Sequence, residues 1–188
     1  TRRLALHRRL AEVTDGIERC LHLAHGAIGP DSAIAAELTA VADTEARRGA
    51  TVEAAELAVL ALDLSPPDDA ARVKRLMLAG DLLFRAGRTE EAATALQRVR
   101  TLAADTDTAA TARSLLALAT IEYSRSDNTE LATELARQAL TATDDPSLQA
   151  GAHAILSLTH YTDFAAAADH AGAALDIVRR LPHPSKTA

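Results

Sequence analysis

Residues 73–102, VKRLMLAGDLLFRAGRTEEAATALQRVRTL, constrain the fold more than any other stretch of the chain. Apolar or small residues stand at Val73, Leu76, Met77, Gly80, Leu83, Phe84 and Gly87, the spacing of one helix face. Ala92, Leu96, Val99 and Leu102 repeat the pattern in the second half. Between them, Gly87 suits a left-handed C-cap, and Thr89, followed by Glu90 and Glu91, suits an N-cap with acidic first-turn residues. The expected product is two antiparallel helices joined by a very short turn. Gly80 and Ala92 are small where the helices must touch, and Leu76, Leu83 and Leu96 fill the space around that contact. One such hairpin cannot bury its apolar face alone, so copies are expected on both sides of it.

Leu76, Gly80, Leu83, Gly87, Ala92, Leu96 and Val99 resemble a tetratricopeptide (TPR) unit, with leucines where that family has large aromatics. Hydrophobic residues make up 48% of the 188 residues but aromatics only 2%, so the core must be built from Ala and Leu. Such a core suits closely packed helices and suits strands poorly. The predicted fold class is all-α, an α-solenoid of about four TPR-like antiparallel hairpins preceded by a short helical pair.

In chain order, residues 2–13 read as a short basic helix with Leu4, Leu10 and Val13 as its candidate buried positions, and Thr14 or Asp15 caps a second helix ending at Gly26–Pro30. The first hairpin pairs 31–48 (Ile34, Leu38 and Val41 inward) with 51–64 (Val52, Ala55, Val59 and Leu62 inward), and Pro66-Pro67 closes it. The central hairpin occupies 68–102. A third pairs 107–126 with 129–142 through a turn at Asp127-Asn128. A fourth pairs 146–161 with 164–181, with Phe164, Ala168, Ala171, Leu175 and Val178 inward. Aligning Ala55, Ala92 and Ala132 gives repeats of 37 and 40 residues, slightly longer than the roughly 34 of a standard TPR. The expected domains are the helical pair at 1–30, the solenoid at 31–181 and a tail at 182–188. A chain that starts at Thr1 and is helical almost at once reads as a piece of something longer.

His7-Arg8-Arg9-Leu10-Ala11-Glu12, then Glu18-Arg19, His22-Leu23-Ala24 and Gly29-Pro30-Asp31, resemble the stretch after the ATPase module in the large ATP-binding LuxR-family transcriptional regulators, a class similar to the maltose-regulon activators. The resemblance implies a regulatory or sensor module in a bacterial transcription factor, with ATP bound only by an upstream domain and a DNA reader downstream. The generic alternative is a TPR-type scaffold that binds a peptide or a copy of itself, with no tie to transcription.

Chemistry is sparse. Lys74 and Lys186 are the only lysines and no GxxxxGK[ST] loop occurs, so no cofactor is expected in this chain. A net charge of −6 argues against a nucleic-acid footprint. The single cysteine, Cys20, allows no internal disulfide and fits a reducing cytoplasm, and no apolar run approaches the roughly 20 residues of a membrane span. Cys20, His22 and His25 invite a metal reading, but Cys20 and His22 point about 200° apart on a helix. His153, His160, Tyr161 and His170 cluster without a nucleophile or paired acid, which favours a pH-sensitive or packing role over catalysis. Asp68-Asp69 and Asp144-Asp145 stand at helix starts, where capping explains them.

Arg48, Arg85 and Arg125 recur at one place in three successive first helices, with Lys74, Asp81 and Phe84 nearby on the central one. In TPR-like arrays that place faces the concave surface, so the six form a candidate surface for an effector or a protein partner. The competing reading is that an arginine in a last helical turn satisfies terminal carbonyls and the helix dipole, repeat by repeat. The partners expected are a small-molecule effector, a protein or peptide, other domains of the same chain, or a second copy.

Overall fold

The computed structural model describes residues 2–104, 106–125 and 129–182. It is all helical there: α1 (Arg2–Ala11), α2 (Gly16–Gly26), α3 (Ser32–Arg48), α4 (Thr51–Asp63), α5 (Arg72–Arg85), α6 (Thr89–Ala103), α7 (Thr108–Ser124), α8 (Thr129–Thr141), α9 (Pro146–Thr159) and α10 (Phe164–Arg180). The chain divides into two compact units, Thr1–Ala95 and Leu96–Ala188, the boundary falling inside α6.

In the first unit α1 packs on α2, α2 on α3, α3 on α4 and α4 on α5. Asp31 caps α3 by accepting from the amides of Ala33 (2.9 Å) and Ile34 (3.1 Å). Gly49 ends α3 at φ +87° and Gly87 follows α5 at φ +78°, left-handed conformations that a side chain resists. Thr89 is the first residue of α6 rather than its cap, and its hydroxyl donates to the Gly87 carbonyl. Thr14 serves α1 by donating to the Leu10 carbonyl, and Asp15 holds the N-cap of α2 without a side-chain bond.

In the second unit α7 packs on α8, α8 on α9, α9 on α10, and α7 also on α9. Asp107, Asp145 and Asp163 cap α7, α9 and α10 through the amides of Ala110, Ser147 and Ala166. The turn expected at Asp127-Asn128 lies outside the described residues, as do residues 183–188 of the tail.

Alanine and leucine fill the core as the composition demands. Leu38, Leu57, Leu76, Leu82, Leu96, Ile121 and Leu156 are its largest fully buried side chains, interleaved with Ala35, Ala42, Ala54, Ala55, Ala92, Ala119 and Ala132. Several inward assignments are corrected. Val13 is 78% exposed because α1 ends at Ala11, its buried residue. Val52 and Leu102 are exposed (55% and 45%) because Ala54, Leu57 and Ala58 take the buried face of α4, and Val99 and Ala103 that of α6. Phe164 (82%), Leu175 (55%) and Val178 (51%) are exposed as well, as is Ala168, and no residue of α10 is buried. Among the described residues no helix is long and apolar enough to cross a membrane.

Candidate functional site

The helices that open successive hairpins, α3 and α5, line a groove of about 510 Å³ in the first unit. Ala36, Thr39, Ala40 and Asp43 form the α3 wall; Lys74, Arg75 and Leu78 form the α5 wall. These residues share one row on each helix because i, i+4 and i+7 positions stack. The small α3 side chains leave the space open. Lys74 is exposed and has no ion-pair partner among the described residues, whereas Asp43 pairs with Arg47 one turn on. A floor of methyl groups with one carboxylate and an unpaired ammonium suits a peptide segment carrying both an apolar and an acidic side chain.

Of the six residues singled out in the sequence, the groove contains only Lys74. Asp81 and Arg85 continue the Lys74–Leu78 row toward the end of α5, paired with each other at 3.6 Å and both exposed. Phe84 is half-buried on a neighbouring face. Arg48 donates to Glu45 at 2.8 Å, and in the second unit Arg125 donates to Glu122 at 2.9 Å. Glu45 and Glu122 are themselves buried. Each arginine, at or just past the end of its helix, therefore meets an acid one turn earlier, which neutralises much of the stripe within each repeat. The exposed pair is worth about 0.2–1 kcal/mol, and the two pairs with buried acids more, since loss of either arginine would leave a carboxylate without its cation.

The sequence reading missed Arg75. Its side chain is only 6% exposed. One guanidinium nitrogen donates to Ser65 Oγ (2.8 Å) and Asp69 Oδ2 (2.7 Å), and the other reaches the Ser32 carbonyl at 3.5 Å. Ser32 Oγ and the Ala71 amide also donate to Asp69, each at 2.8 Å. Asp69 therefore does more than the capping expected of it. The Arg75 hydrogen bond, followed by those from Ala71 and Ser32, holds its carboxyl down at about 2. The cluster ties the start of α3, the turn after α4 and α5 together beneath the groove. An arginine in a helical pattern reads as surface, so only the acid and serines placed around it could have betrayed its burial.

Two histidine groups complete the polar inventory. His7 on α1 faces His22 on α2, Nδ1 to Nδ1 at 3.2 Å, with the His25 ring 5.3 Å away. His153 on α9 faces His170 on α10 at 2.9 Å, with the His160 ring 5.4 Å from that of His170. Burial first, and then the neighbouring imidazoles and an arginine, push both His7 and His170 below the ordinary histidine value. Cys20 is buried too, and burial pushes its thiol up. Among the described residues no group of three such side chains is placed to hold a metal ion.

No family model and no curated protein matches the sequence. Solved structures do match its fold. The chain is similar to BtubC (BKLC) from P. vanneervenii, with a TM-score of 0.69 at 18% identity over 100% of this chain and 92% of that one. It is also similar to MamA from residue 41 to its end, from Desulfovibrio magneticus RS-1, with a TM-score of 0.63 at 19% identity over 94% and 96%. The MamA RS-1 ArsTM double mutant gives 0.62 at 18% identity over 94% and 95%. This is a TPR-like helical-repeat fold. At these identities the likeness speaks for the fold alone.

Proposed function

We propose that this chain is a non-catalytic interaction module that holds a segment of a partner protein in the α3–α5 groove. The observation that carries the reading is the groove itself, small-walled and bordered by the unpaired Lys74. A TPR-like helical-repeat fold agrees with an interaction role. The proposal extends to context: the module is the regulatory segment of a LuxR-family ATP-dependent transcriptional regulator, with α1 and α2 as the junction to its ATPase. That extension rests on the motif residues His7–Glu12, His22–Ala24 and Gly29–Asp31. The partner or effector acts by preferring one arrangement of the parent protein over another, with no chemistry in this chain.

A displayed library of peptides from the source proteome, panned on the chain, tests the module. Enriched peptides should lose binding to Ala40→Trp, which fills the groove from an exposed position, and to Lys74→Glu, while helicity stays unchanged. Peptides that bind both variants as well as wild type would refute the groove as the site. The parent reading frame tests the context. A phosphate-loop ATPase before these residues and a helix-turn-helix after them support it; a parent with neither removes the assignment to transcription and leaves the interaction module.

A further inference from the structure

We propose that the flank of α10 is a self-association surface, on which two copies of the chain pair their α10 helices antiparallel about a two-fold axis at Ala171. Phe164, Ala168, Ala171, Leu175 and Val178 follow one another in steps of four, three, four and three, which makes a single stripe along the helix. That stripe faces solvent: Phe164 is 82% exposed, Leu175 55% and Val178 51%.

The other second helices of the hairpins show what such a flank does when it is occupied. α4 lies between α3 and α5, and α8 between α7 and α9, so each is covered on two sides. At the fifth, eighth and twelfth helix positions, those of Ala168, Ala171 and Leu175 in the stripe, α4 has Ala55 and Ala58 buried and Leu62 half-buried, and α8 has Ala136 buried and Thr133 and Leu140 half-buried. In α10 Ala168 and Leu175 are exposed at those positions and only Ala171 is half-buried. Its extensive helical neighbour among the described residues is α9 alone. α10 thus carries the apolar pattern of a helix covered twice while being covered once.

The stripe is complementary to itself. Turned antiparallel about Ala171, it sets Phe164 against Val178 and Ala168 against Leu175, large side chains beside smaller ones, in the reciprocal manner of a two-fold interface. A side chain at Gly172 would meet nothing within 4 Å, so a second backbone can come close at the centre. Charge favours the same orientation. Asp163 caps the start of the helix, and Arg179, which pairs with Asp176 at 3.3 Å, and Arg180 end it. Antiparallel pairing brings those ends together with opposed helix dipoles, whereas parallel pairing would stack arginine on arginine. A helix of 17 residues is about 25 Å long. Its flank falls short of the roughly 800 Å² per partner of a standard interface, so the dimer is a weak one, with a dissociation constant on the order of micromolar.

Sedimentation of the whole chain from about 1 to about 100 μM tests this. Wild type should pass from monomer to dimer, and Leu175→Glu should weaken association by at least about tenfold with an unchanged circular dichroism spectrum. A wild type that stays monomeric throughout, its stripe then being free for a helix of some other chain, overturns the proposal, as does a Leu175→Glu variant that dimerises as well as wild type. Orientation is read from single cysteines in a Cys20→Ala background. Ala171→Cys should crosslink to itself on mild oxidation, and Phe164→Cys only when mixed with Val178→Cys chains. Self-crosslinking of Phe164→Cys as efficient as that of Ala171→Cys overturns the antiparallel arrangement.

Discussion

Replacing Arg75 by methionine isolates the polar cluster between neighbouring hairpins. Methionine keeps most of the apolar volume, so the change removes three hydrogen bonds and a charge without opening a large cavity. Breaking one side of a buried pair costs about 3–5 kcal/mol, and with other donors left in place the Arg75→Met cost should be about 3 kcal/mol. For a chain of this size each kcal/mol is worth about 2–4 °C, so the Tm should fall by about 6–12 °C. Adding Asp69→Asn removes the stranded charge and should restore at least half of the loss in thermal circular dichroism. Acid titration gives a second reading. The Asp69 carboxyl lies at about 2 when folded against an ordinary 3.8, so its contribution is complete above about pH 4 and is lost as the pH falls toward 2. Without Arg75 the main cause of that depression is gone, and the acid limb should be shallower. An Arg75→Met variant that melts within about 2 °C of wild type, or a double variant no more stable than the single one, would refute the account.

Three further outcomes follow from the same structure. Arg85→Glu should lower the Tm by no more than about 4 °C because its pair with Asp81 is exposed, whereas Arg125→Glu, which sets a second carboxylate beside buried Glu122, should cost about 2–3 kcal/mol in chemical denaturation. His170, held low by burial and by His153, His160 and Arg137 against the opposing Asp169, should make stability fall as the pH drops from its unfolded value near 6.5 toward the lower folded one. His170→Gln should flatten that dependence in melts between about pH 5 and 8. Leu82→Ala should cost about 2–5 kcal/mol because its side chain is fully buried, whereas Val52→Ala should stay within about 0.5 kcal/mol; the reverse order in urea denaturation would contradict the core assignment.

Helix order and turns were legible because their signals are categorical. A left-handed glycine at Gly49 or Gly87, a capping aspartate at Asp31, Asp107, Asp145 or Asp163, and the prolines after α4 leave little else for the backbone to do. Face assignments were less legible because alanine carries so much of this core. On α3 the pattern pointed to Ile34 and Val41, yet Ala35 and Ala42 are fully buried and the larger pair only half-buried. An alanine costs little on either side of a helix, so its position says little about which side is inward. On α10 the apolar stripe was plain, but a stripe does not say whether the helix that covers it belongs to the same molecule. The arginine recurrence was visible as a spacing; the acids that answer it, Glu45, Asp81 and Glu122, lie at i−3 or i−4 and were equally visible. The groove was not, because it is made by exposed small residues, Ala36 and Ala40, that no apolar or charged pattern marks.

Arg75 borders the groove from below while fastening α3 to the turn before α5. Whatever settles in the groove therefore leans on the buckle that joins one hairpin to the next. If the proposed segment binds there, amide exchange at the first turns of α3 and α5 should slow with occupancy, because those turns hold the strap that joins adjoining repeats.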